Sequence, residues 1–245
     1  MMPAAIERAA AAAWPASDVE ERGGWLLRHT PRLARARSNA ALPLAAEPDV
    51  AVVEAWYGAR GAAALVQVAP LEEHATLDAA LVAAGWQALV RVDVLVAAAG
   101  ELAAPGRLVT VLGSATSEWL GAWARAEGRD DAAVHDELVF SCLPPGRAAY
   151  ALSPDGSCVG MAILTGGGAC GLFCMATRPD ARRQGLATVV LAGLAEWARD
   201  AGAGTVYLQV LESNAGAKAL YARAGFRRSH GYVHRTAPTR SAPAA

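Results

Sequence analysis

The sequence predicts an α/β protein in which a mixed sheet is flanked by helices. Residues 169–211 have the pattern of a strand, a long helix and a strand, an order typical of a βαβ unit with parallel strands. Short motifs of this carboxyl half recur in the same order in the amino half. Of the 245 residues, 54% are hydrophobic and 18% are charged, so the chain can bury a sizeable core.

Each element of the carboxyl half follows from its local pattern. Residues 186–201 are apolar at helical period, and Val206, Leu208 and Val210 alternate with polar neighbours. Helices are predicted at residues 117–127, 131–140, 186–201 and 214–224, and strands at residues 147–152, 158–164, 169–176, 205–211 and 226–235. Residues 153–157 predict a hairpin turn, and Gly225 suits a left-handed cap after the last helix.

The amino half repeats the end of this plan. Residues 65–68 match residues 207–210. Residues 80–86 match residues 220–226, and both of these segments end in a glycine followed by an aromatic residue. A third match pairs Glu54-Ala55-Trp56 with Glu196-Trp197. The ordered set predicts two tandem copies of one fold.

We therefore expect three segments: residues 1–107 as a degenerate copy, residues 108–236 as the second domain, and residues 237–245 as a disordered tail. The amino copy has Glu47 and Asp49 where the second domain has a basic turn, and it has no Arg-x-x-Gly-x-Ala pattern there. We expect this copy to pack beside the second domain.

Composition limits the classes of partner and site. The net charge of −1 favours neither nucleic acid nor an anionic membrane. No secretion signal or membrane-length apolar run is visible, so a cytoplasmic protein is expected, with homodimerisation left open. The cysteines have no C-x-x-C pair and the histidines no metal-ligand spacing, so we expect free thiols and no metal.

A basic, glycine-containing turn at residues 178–188 links the strand at 169–176 to the helix at 186–201. The first N–H groups of a helix lack intrahelical partners and carry partial positive charge, and Arg182 and Arg183 add full charges. Gly185 and Ala187 are small where a ligand must approach the backbone. The turn predicts a phosphate or pyrophosphate site; an ordinary solvated loop is the alternative.

These residues carry a family resemblance. Arg182-x-x-Gly185-x-Ala187, followed by Asn214 and by Leu220-Tyr221-x-Arg223-x-Gly225-Phe226, resembles the signature of the GNAT superfamily of acyl-CoA-dependent N-acetyltransferases. The close resemblance covers about residues 171–235. The amino half, with Gly-Gly-Trp-Leu-Leu-Arg at 23–28 and Arg-Ser-Asn-Ala at 37–40, is similar to tandem members of the superfamily.

The resemblance implies a partly splayed sheet that binds acetyl-CoA as acyl donor. The strand at residues 172–177 would separate from the strand at 205–211, and its free backbone would pair with the pantetheine arm. The turn would hold the pyrophosphate, and Lys218 is an option for the 3′-phosphate. The donor-binding residues implied are Met175, Ala176, Thr177, Arg182, Arg183, Gln184, Gly185, Leu186, Ala187, Thr188, Asn214 and Lys218. Asn214 could instead cap its helix, and Lys218 could be solvated.

Tyr221 is the implied general acid, which would protonate the departing thiolate and contribute on the order of 10²-fold. A half-buried core tyrosine is the alternative. The general base is not evident from the sequence. Glu212, at the end of a strand, is the candidate, although an exposed loop carboxylate is an equal interpretation; His135, Asp136, Glu137 and His230 are weaker options.

The sequence therefore predicts an N-acetyltransferase that moves an acetyl group from acetyl-CoA to a primary amine of unknown identity by direct attack. One alternative is a CoA-binding regulatory or structural module without turnover. Another is an unrelated nucleotide-binding α/β domain. Neither nucleic acid nor a membrane is expected as a partner.

Overall fold

The computed structural model describes residues 1–102 and 108–238. The α-helices are α1 Pro3–Ala13, α2 Val50–Gly58, α3 Ala75–Ala83, α4 Ser117–Glu127, α5 Ala132–His135, α6 Leu186–Asp200 and α7 Ala215–Arg223. The strands are β1 Asp18–Arg22, β2 Trp25–His29, β3 Leu42–Pro43, β4 Leu65–Val68, β5 Gln87–Ala98, β6 Thr110–Leu112, β7 Ala148–Leu152, β8 Cys158–Thr165, β9 Ala169–Thr177, β10 Thr205–Leu211 and β11 Arg227–Thr236.

The chain divides into two compact units. The first contains Met1–Pro15, Val94–Val210 and Asn214–Ser229, and the second contains Ala16–Asp93, Leu211–Ser213 and His230–Ala245. The predicted boundary between residues 107 and 108 lies at the edge of a segment outside the described residues, so the predicted domain limits stay predictions. Of the predicted tail, residues 239–245 also lie outside the described part.

The first unit is built on a mixed sheet. Strand β6 pairs with β7, β7 with β8 and β8 with β9, all antiparallel, whereas β9 and β10 are parallel. Because α6 connects the two parallel strands, the predicted βαβ unit is confirmed. The predicted elements of the carboxyl half are also present, with ends that differ by one or two residues. One of them, predicted as a helix at 131–140, is α5 followed by a π-helical turn at Asp136–Phe140.

Two helices cover this sheet with apolar faces. Helix α6 buries Val190, Leu194 and Ala198 in one core cluster with Leu172 and Leu208. Helix α4 buries Trp119 and Trp123, whose rings stack with centroids 5.9 Å apart. The indole N–H of Trp119 donates to the carbonyls of Ala151 and Gly160, so these tryptophans are core residues, as predicted.

The second unit has its own core and pairings. Strands β1, β2 and β3 form an antiparallel sheet, and β4 pairs antiparallel with the Val233–Thr236 part of β11. Trp25, Trp56, Tyr57 and Trp86 belong to its apolar cluster. The buried Arg28 donates from Nε to the Ala40 carbonyl and from Nη2 to Gln67 Oε1, each at 3.0 Å, so its charge is hydrogen-bonded inside the unit.

Within the described residues, no helix is both long enough and apolar enough to cross a membrane.

Candidate functional site

The parallel pair of the first unit comes apart at its carboxyl end. The register runs from Thr205↔Ala169 to Leu208↔Leu172, and β9 continues to Thr177 beyond the last paired position. Backbone groups of residues 173–177 therefore extend past the ladder with β10. This is the separation of strands that the sequence resemblance implies, and it leaves a strand edge for an extended ligand.

A bulge lies at the same point of β9. On β8, Val159 pairs with Ala176 and Met161 pairs with Phe173, so Gly160 alone faces Cys174 and Met175. Cys174 has a positive φ of 53°, which only a few per cent of non-glycine residues adopt. A bulge with such a residue re-aims the backbone and side chains that follow it.

The basic turn joins β9 to α6. The Arg178 N–H donates to the Ser157 carbonyl at 2.8 Å, and Arg182 Nε donates to the Thr177 carbonyl at 3.3 Å. Arg183 and Gly185 have positive φ of 62° and 80°. A Cβ added at Gly185 would meet no protein atom within 4 Å, so the backbone there opens onto free space and the glycine is required by its φ.

The start of α6 presents unsatisfied donors. The N–H groups of Thr188 and Val189 already donate to the Gly185 carbonyl at 3.1 and 3.2 Å. The N–H groups of Leu186 and Ala187 have no intrahelical acceptor by position. With the helix dipole, they form a region of positive potential at the end of β9.

A cleft of about 1170 Å³ in the first unit collects most of the predicted donor residues. The predicted residues that line it are Met175, Ala176, Thr177, Arg182, Arg183, Gly185, Leu186, Ala187, Thr188, Asn214 and Tyr221. Gln184, exposed in the turn, and Lys218, half-buried on α7, are absent from the described lining. The lining brings the turn, the end of β9 and α7 together around one space.

The cleft also contains residues that sequence reasoning missed. Gly216, Ala217 and Leu220 lie on α7 one to five residues before Tyr221, and small or apolar residues in the same short helix as Tyr221 were a usable signal. Glu127, at the end of α4, lines the cleft as well. Nothing in the local sequence of α4 distinguishes it from an ordinary surface carboxylate.

Tyr221 lies on the buried side of α7 and is 7% exposed. Its ring meets Phe226 edge to face at 5.8 Å, and its hydroxyl makes no hydrogen bond to any residue that the structure describes. Burial, with a smaller effect of the Cys158 thiol, raises the pKa of Tyr221 to about 12. The side chain is therefore a neutral hydrogen-bond donor at neutral pH.

Asn214 caps its helix, which is one of the two interpretations that the sequence left open, and a role in donor binding stays a prediction. Its Oδ1 accepts the Ala217 N–H at 3.1 Å and so caps α7, while the residue also lines the cleft.

The candidate general bases are divided between the two units. Glu212 belongs to the second unit, is exposed, and its N–H donates to the Arg91 carbonyl at 3.0 Å. His135 is buried, with Nδ1 2.9 Å from the Asp131 carbonyl, and Asp136 begins the π-helical turn that also contains Glu137. His230 belongs to the second unit. The catalytic assignment of Glu212 stays a prediction.

Two buried cysteines, Cys158 and Cys170, are not activated nucleophiles. Burial raises the pKa of the Cys158 thiol, which accepts a hydrogen bond from Thr177 Oγ1 at 3.1 Å, and burial raises the pKa of Cys170 to about 12. Among the described residues, no group of three or more His, Cys, Asp or Glu could hold a metal ion.

Comparison with known proteins gives one family match. The model of the family described as "Probable histone acetyltransferase Rv0428c C-terminal" matches residues 4–235. No curated protein sequence matches the chain.

Three solved structures have a similar fold. A GCN5-related N-acetyltransferase from Kribbella flavida is 19% identical, with a TM-score of 0.75 over 96% of this chain and 95% of that one. A GNAT-family acetyltransferase structure from Novosphingobium aromaticivorans is 16% identical, with a TM-score of 0.56 over 89% of each chain. A tandem GNAT protein from the clavulanic acid biosynthesis pathway is 12% identical, with a TM-score of 0.57 over 95% of this chain and 87% of that one.

Proposed function

Because the chain belongs to the GNAT-type acetyltransferase family whose model is described as "Probable histone acetyltransferase Rv0428c C-terminal", we propose that it moves an acetyl group from acetyl-CoA to a primary amine. The family implies acyl transfer from acyl-CoA. One observation carries the finer proposal: the start of α6, the unpaired end of β9 and Tyr221 line a single cleft of about 1170 Å³. Each of these three parts suits a different part of the donor.

The turn and the start of α6 suit a diphosphate. The N–H groups of Leu186 and Ala187 and the exposed guanidinium groups of Arg182 and Arg183 border the same cleft. Anions bind such helix starts because the unsatisfied N–H groups and the dipole act together. Free space beside Gly185 leaves room for the ligand at the backbone.

The end of β9 suits the pantetheine arm and the thioester. Met175, Ala176 and Thr177 lie beyond the ladder with β10, so their backbone groups can pair with an extended amide-containing chain as an added strand would. A backbone N–H near the bulge at Cys174 can donate to the thioester carbonyl as negative charge develops on its oxygen.

The reaction is a direct displacement held in one geometry. The amine nitrogen forms a bond to the acyl carbon while the bond between that carbon and sulfur breaks, and the nitrogen releases a proton to water as the amide forms. Tyr221 donates a hydrogen bond or proton to the sulfur, and water replaces any proton that the phenol gives up. A free thiol has a pKa of about 8.5, so the leaving thiolate needs only moderate help. Most of the acceleration comes from orientation of the two reactants in the cleft.

We further propose a tandem organisation, in which the amino half is a degenerate copy without this site. Along the chain, α2, β4, α3 and β5 follow each other as α6, β10, α7 and β11 do. The ends of α3 and α7 have the same geometry: Gly85 and Gly225 have positive φ, and the Trp86 and Phe226 N–H groups donate to the Leu81 and Tyr221 carbonyls. Leu81 thus stands where the active copy has its phenol.

The test combines binding with turnover. Calorimetry measures acetyl-CoA binding, and a thiol-specific colour reagent follows free CoA when the protein, acetyl-CoA and a panel of primary amines are mixed. Amine-dependent thiol release with an N-acetyl product supports the transferase. Tight acetyl-CoA binding without thiol release for any amine would select a binding module instead, and stronger binding of ATP or NAD than of CoA would select a different nucleotide-binding protein.

A further inference from the structure

A second, smaller cleft of about 360 Å³ lies in the first unit. Its lining includes Asp136, Phe140 and Ser141 from the π-helical turn and the residue after it, Pro144 and Pro145 from the following loop, and Tyr150 from β7. One carboxylate and one phenol therefore share a cleft with several apolar side chains. This combination suits a ligand with a positively charged head and an apolar stem.

Tyr150 is the buried polar side chain of this cleft. It is 2% exposed, and its ring packs edge to face against Trp119 at 5.1 Å and Phe140 at 6.0 Å, which fixes its direction. Its hydroxyl makes no hydrogen bond to any residue of the described ranges. Burial, with smaller effects of Cys174 and Asp136, raises the pKa of Tyr150 well above its usual value, so the phenol stays neutral.

Strand pairing relates this cleft to the larger cleft of about 1170 Å³ proposed for the acyl donor, called the donor cleft below. Tyr150 pairs with Met161 across β7 and β8, and Met161 pairs with Phe173 across β8 and β9. Two strand spacings place the Cα atoms of Tyr150 and Phe173 about 10 Å apart. Cys174 is the bulge residue next to Met175 of the donor cleft, and it is one of the groups that raise the pKa of Tyr150.

On the basis of the proposed function, we infer that this smaller cleft binds the acceptor and that the acceptor is a primary alkylamine in its ammonium form. The Asp136 carboxylate, whose Oδ1 is already oriented by the Ser141 hydroxyl at 3.1 Å, binds the ammonium group. Phe140, Pro144 and Pro145 cover the alkyl stem. The Tyr150 hydroxyl offers a further hydrogen bond in the same cleft.

The ammonium group first releases one proton to water, and the neutral amine then forms the C–N bond as the C–S bond of acyl-CoA breaks. The nitrogen loses a second proton to water as the amide forms. The sulfur leaves as thiolate and takes a proton from water, or it leaves as thiol with the Tyr221 proton, which water then replaces. Asp136 raises the local concentration of the cationic amine and is a specificity residue, because it acts on binding before the proton is lost.

Two isosteric acceptors test the inference. Pentylamine is an ammonium ion at neutral pH, whereas O-butylhydroxylamine has the same length, is neutral and is still nucleophilic. We expect Asp136→Asn to raise the KM for pentylamine about tenfold or more, with kcat little changed, and to leave the KM for O-butylhydroxylamine unaltered. Asp130→Asn, which removes an exposed carboxylate from the turn between α4 and α5, is the matched control and should change neither KM.

The outcomes separate this inference from the proposed function. Equal effects of Asp136→Asn on the two acceptors, or a wild-type protein that acetylates only O-butylhydroxylamine, would overturn the inference and leave acyl transfer standing. Acetyl-CoA binding without thiol release for either acceptor would also overturn the inference, and the proposed function would fall with it only if no amine of the wider panel gave thiol release. Quenching of tryptophan fluorescence by pentylamine, lost in Asp136→Asn and kept in Asp130→Asn, gives a readout independent of turnover. A lysyl peptide compared with pentylamine shows whether the alkylamine is part of a polypeptide or free.

Discussion

Met175 of β9 packs over Gly160 of β8, at the point where β9 carries one residue more than its partner strand. A Cβ on Gly160 would collide with Met175 Sδ and approach Leu194 Cδ1 to 3.0 Å and Val190 Cγ1 to 3.1 Å. The missing side chain of Gly160 therefore makes room for Met175 between the sheet and α6. Because Met175 also lines the donor cleft, the packing of this pair fixes the bulge that shapes the cleft.

Gly160→Ala tests this relationship. The added methyl must displace Met175, so we expect about 1–3 kcal/mol of lost stability and weaker acetyl-CoA binding. Thermal unfolding and calorimetry measure the two effects. Gly166→Ala, where a Cβ meets nothing within 4 Å, is the matched control and should be nearly neutral. A further change of Met175→Ala should restore stability in part. Full stability of Gly160→Ala alone would contradict the close packing of Met175 over Gly160.

The turn arginines should act on the diphosphate and nothing else. We expect Arg182→Ala and Arg183→Ala each to weaken CoA binding about tenfold, since each removes one charge-assisted interaction at a solvent-exposed site. Pantetheine, which lacks the diphosphate, should bind the variants and the wild type equally. Arg199→Ala, in the last turn of α6 and about 20 Å along the helix, is the control. An equal loss for CoA and pantetheine would place the diphosphate elsewhere.

Tyr221→Phe should lower kcat by on the order of 10²-fold and leave acetyl-CoA binding unchanged, because it removes the proton donor and keeps the ring. Since the pKa of Tyr221 is raised to about 12, the wild-type hydroxyl stays protonated through the neutral and mildly alkaline range. The kcat ratio of the two proteins should therefore be constant with pH there. A variant with wild-type kcat at every pH would remove the acid role.

The raised pKa of Tyr221 also makes the stability of the folded protein depend on pH. The folded-state pKa of Tyr221 is above the ordinary value of 10.0, so the unfolded chain loses this proton first as pH rises. The contribution of the neutral phenol is fully present below about pH 10 and is lost as pH approaches 12. In thermal unfolding, Tyr221→Phe should lose less stability over this alkaline interval than the wild type does.

The sequence predicted the donor side of the site better than the rest. The turn at residues 178–188 and the pattern around Tyr221 are local, because each depends on a few adjacent residues with special backbone or side-chain requirements. Glu127 and the cleft around Tyr150 depend on how α4, β7 and the π-helical turn pack, and no short motif encodes that packing. The helix expected at 131–140 changes to a π-helical turn at Asp136–Phe140, where Val139 and Phe140 are buried and the Phe140 ring meets Trp123 at 5.4 Å; this packing is not visible in the local pattern.

The cap of α7 gives a last prediction about the whole site. Gly225 has a φ of 101°, a Cβ there would meet nothing within 4 Å, and the Phe226 N–H donates to the Tyr221 carbonyl at 3.0 Å. The cost of Gly225→Ala is therefore backbone strain alone, about 1 kcal/mol, and Gly225→Asn should cost less because asparagine tolerates this region better.

The same cap is hydrogen-bonded to the Tyr221 carbonyl, so strain at Gly225 acts on the position of Tyr221. We therefore expect Gly225→Ala to lower kcat more than it changes acetyl-CoA affinity. Gly58→Ala, in α2 without a positive φ or a nearby atom, is the control and should be neutral or stabilising. Equal thermal stability of Gly225→Ala and Gly225→Asn would show that the left-handed conformation is not what the glycine supplies.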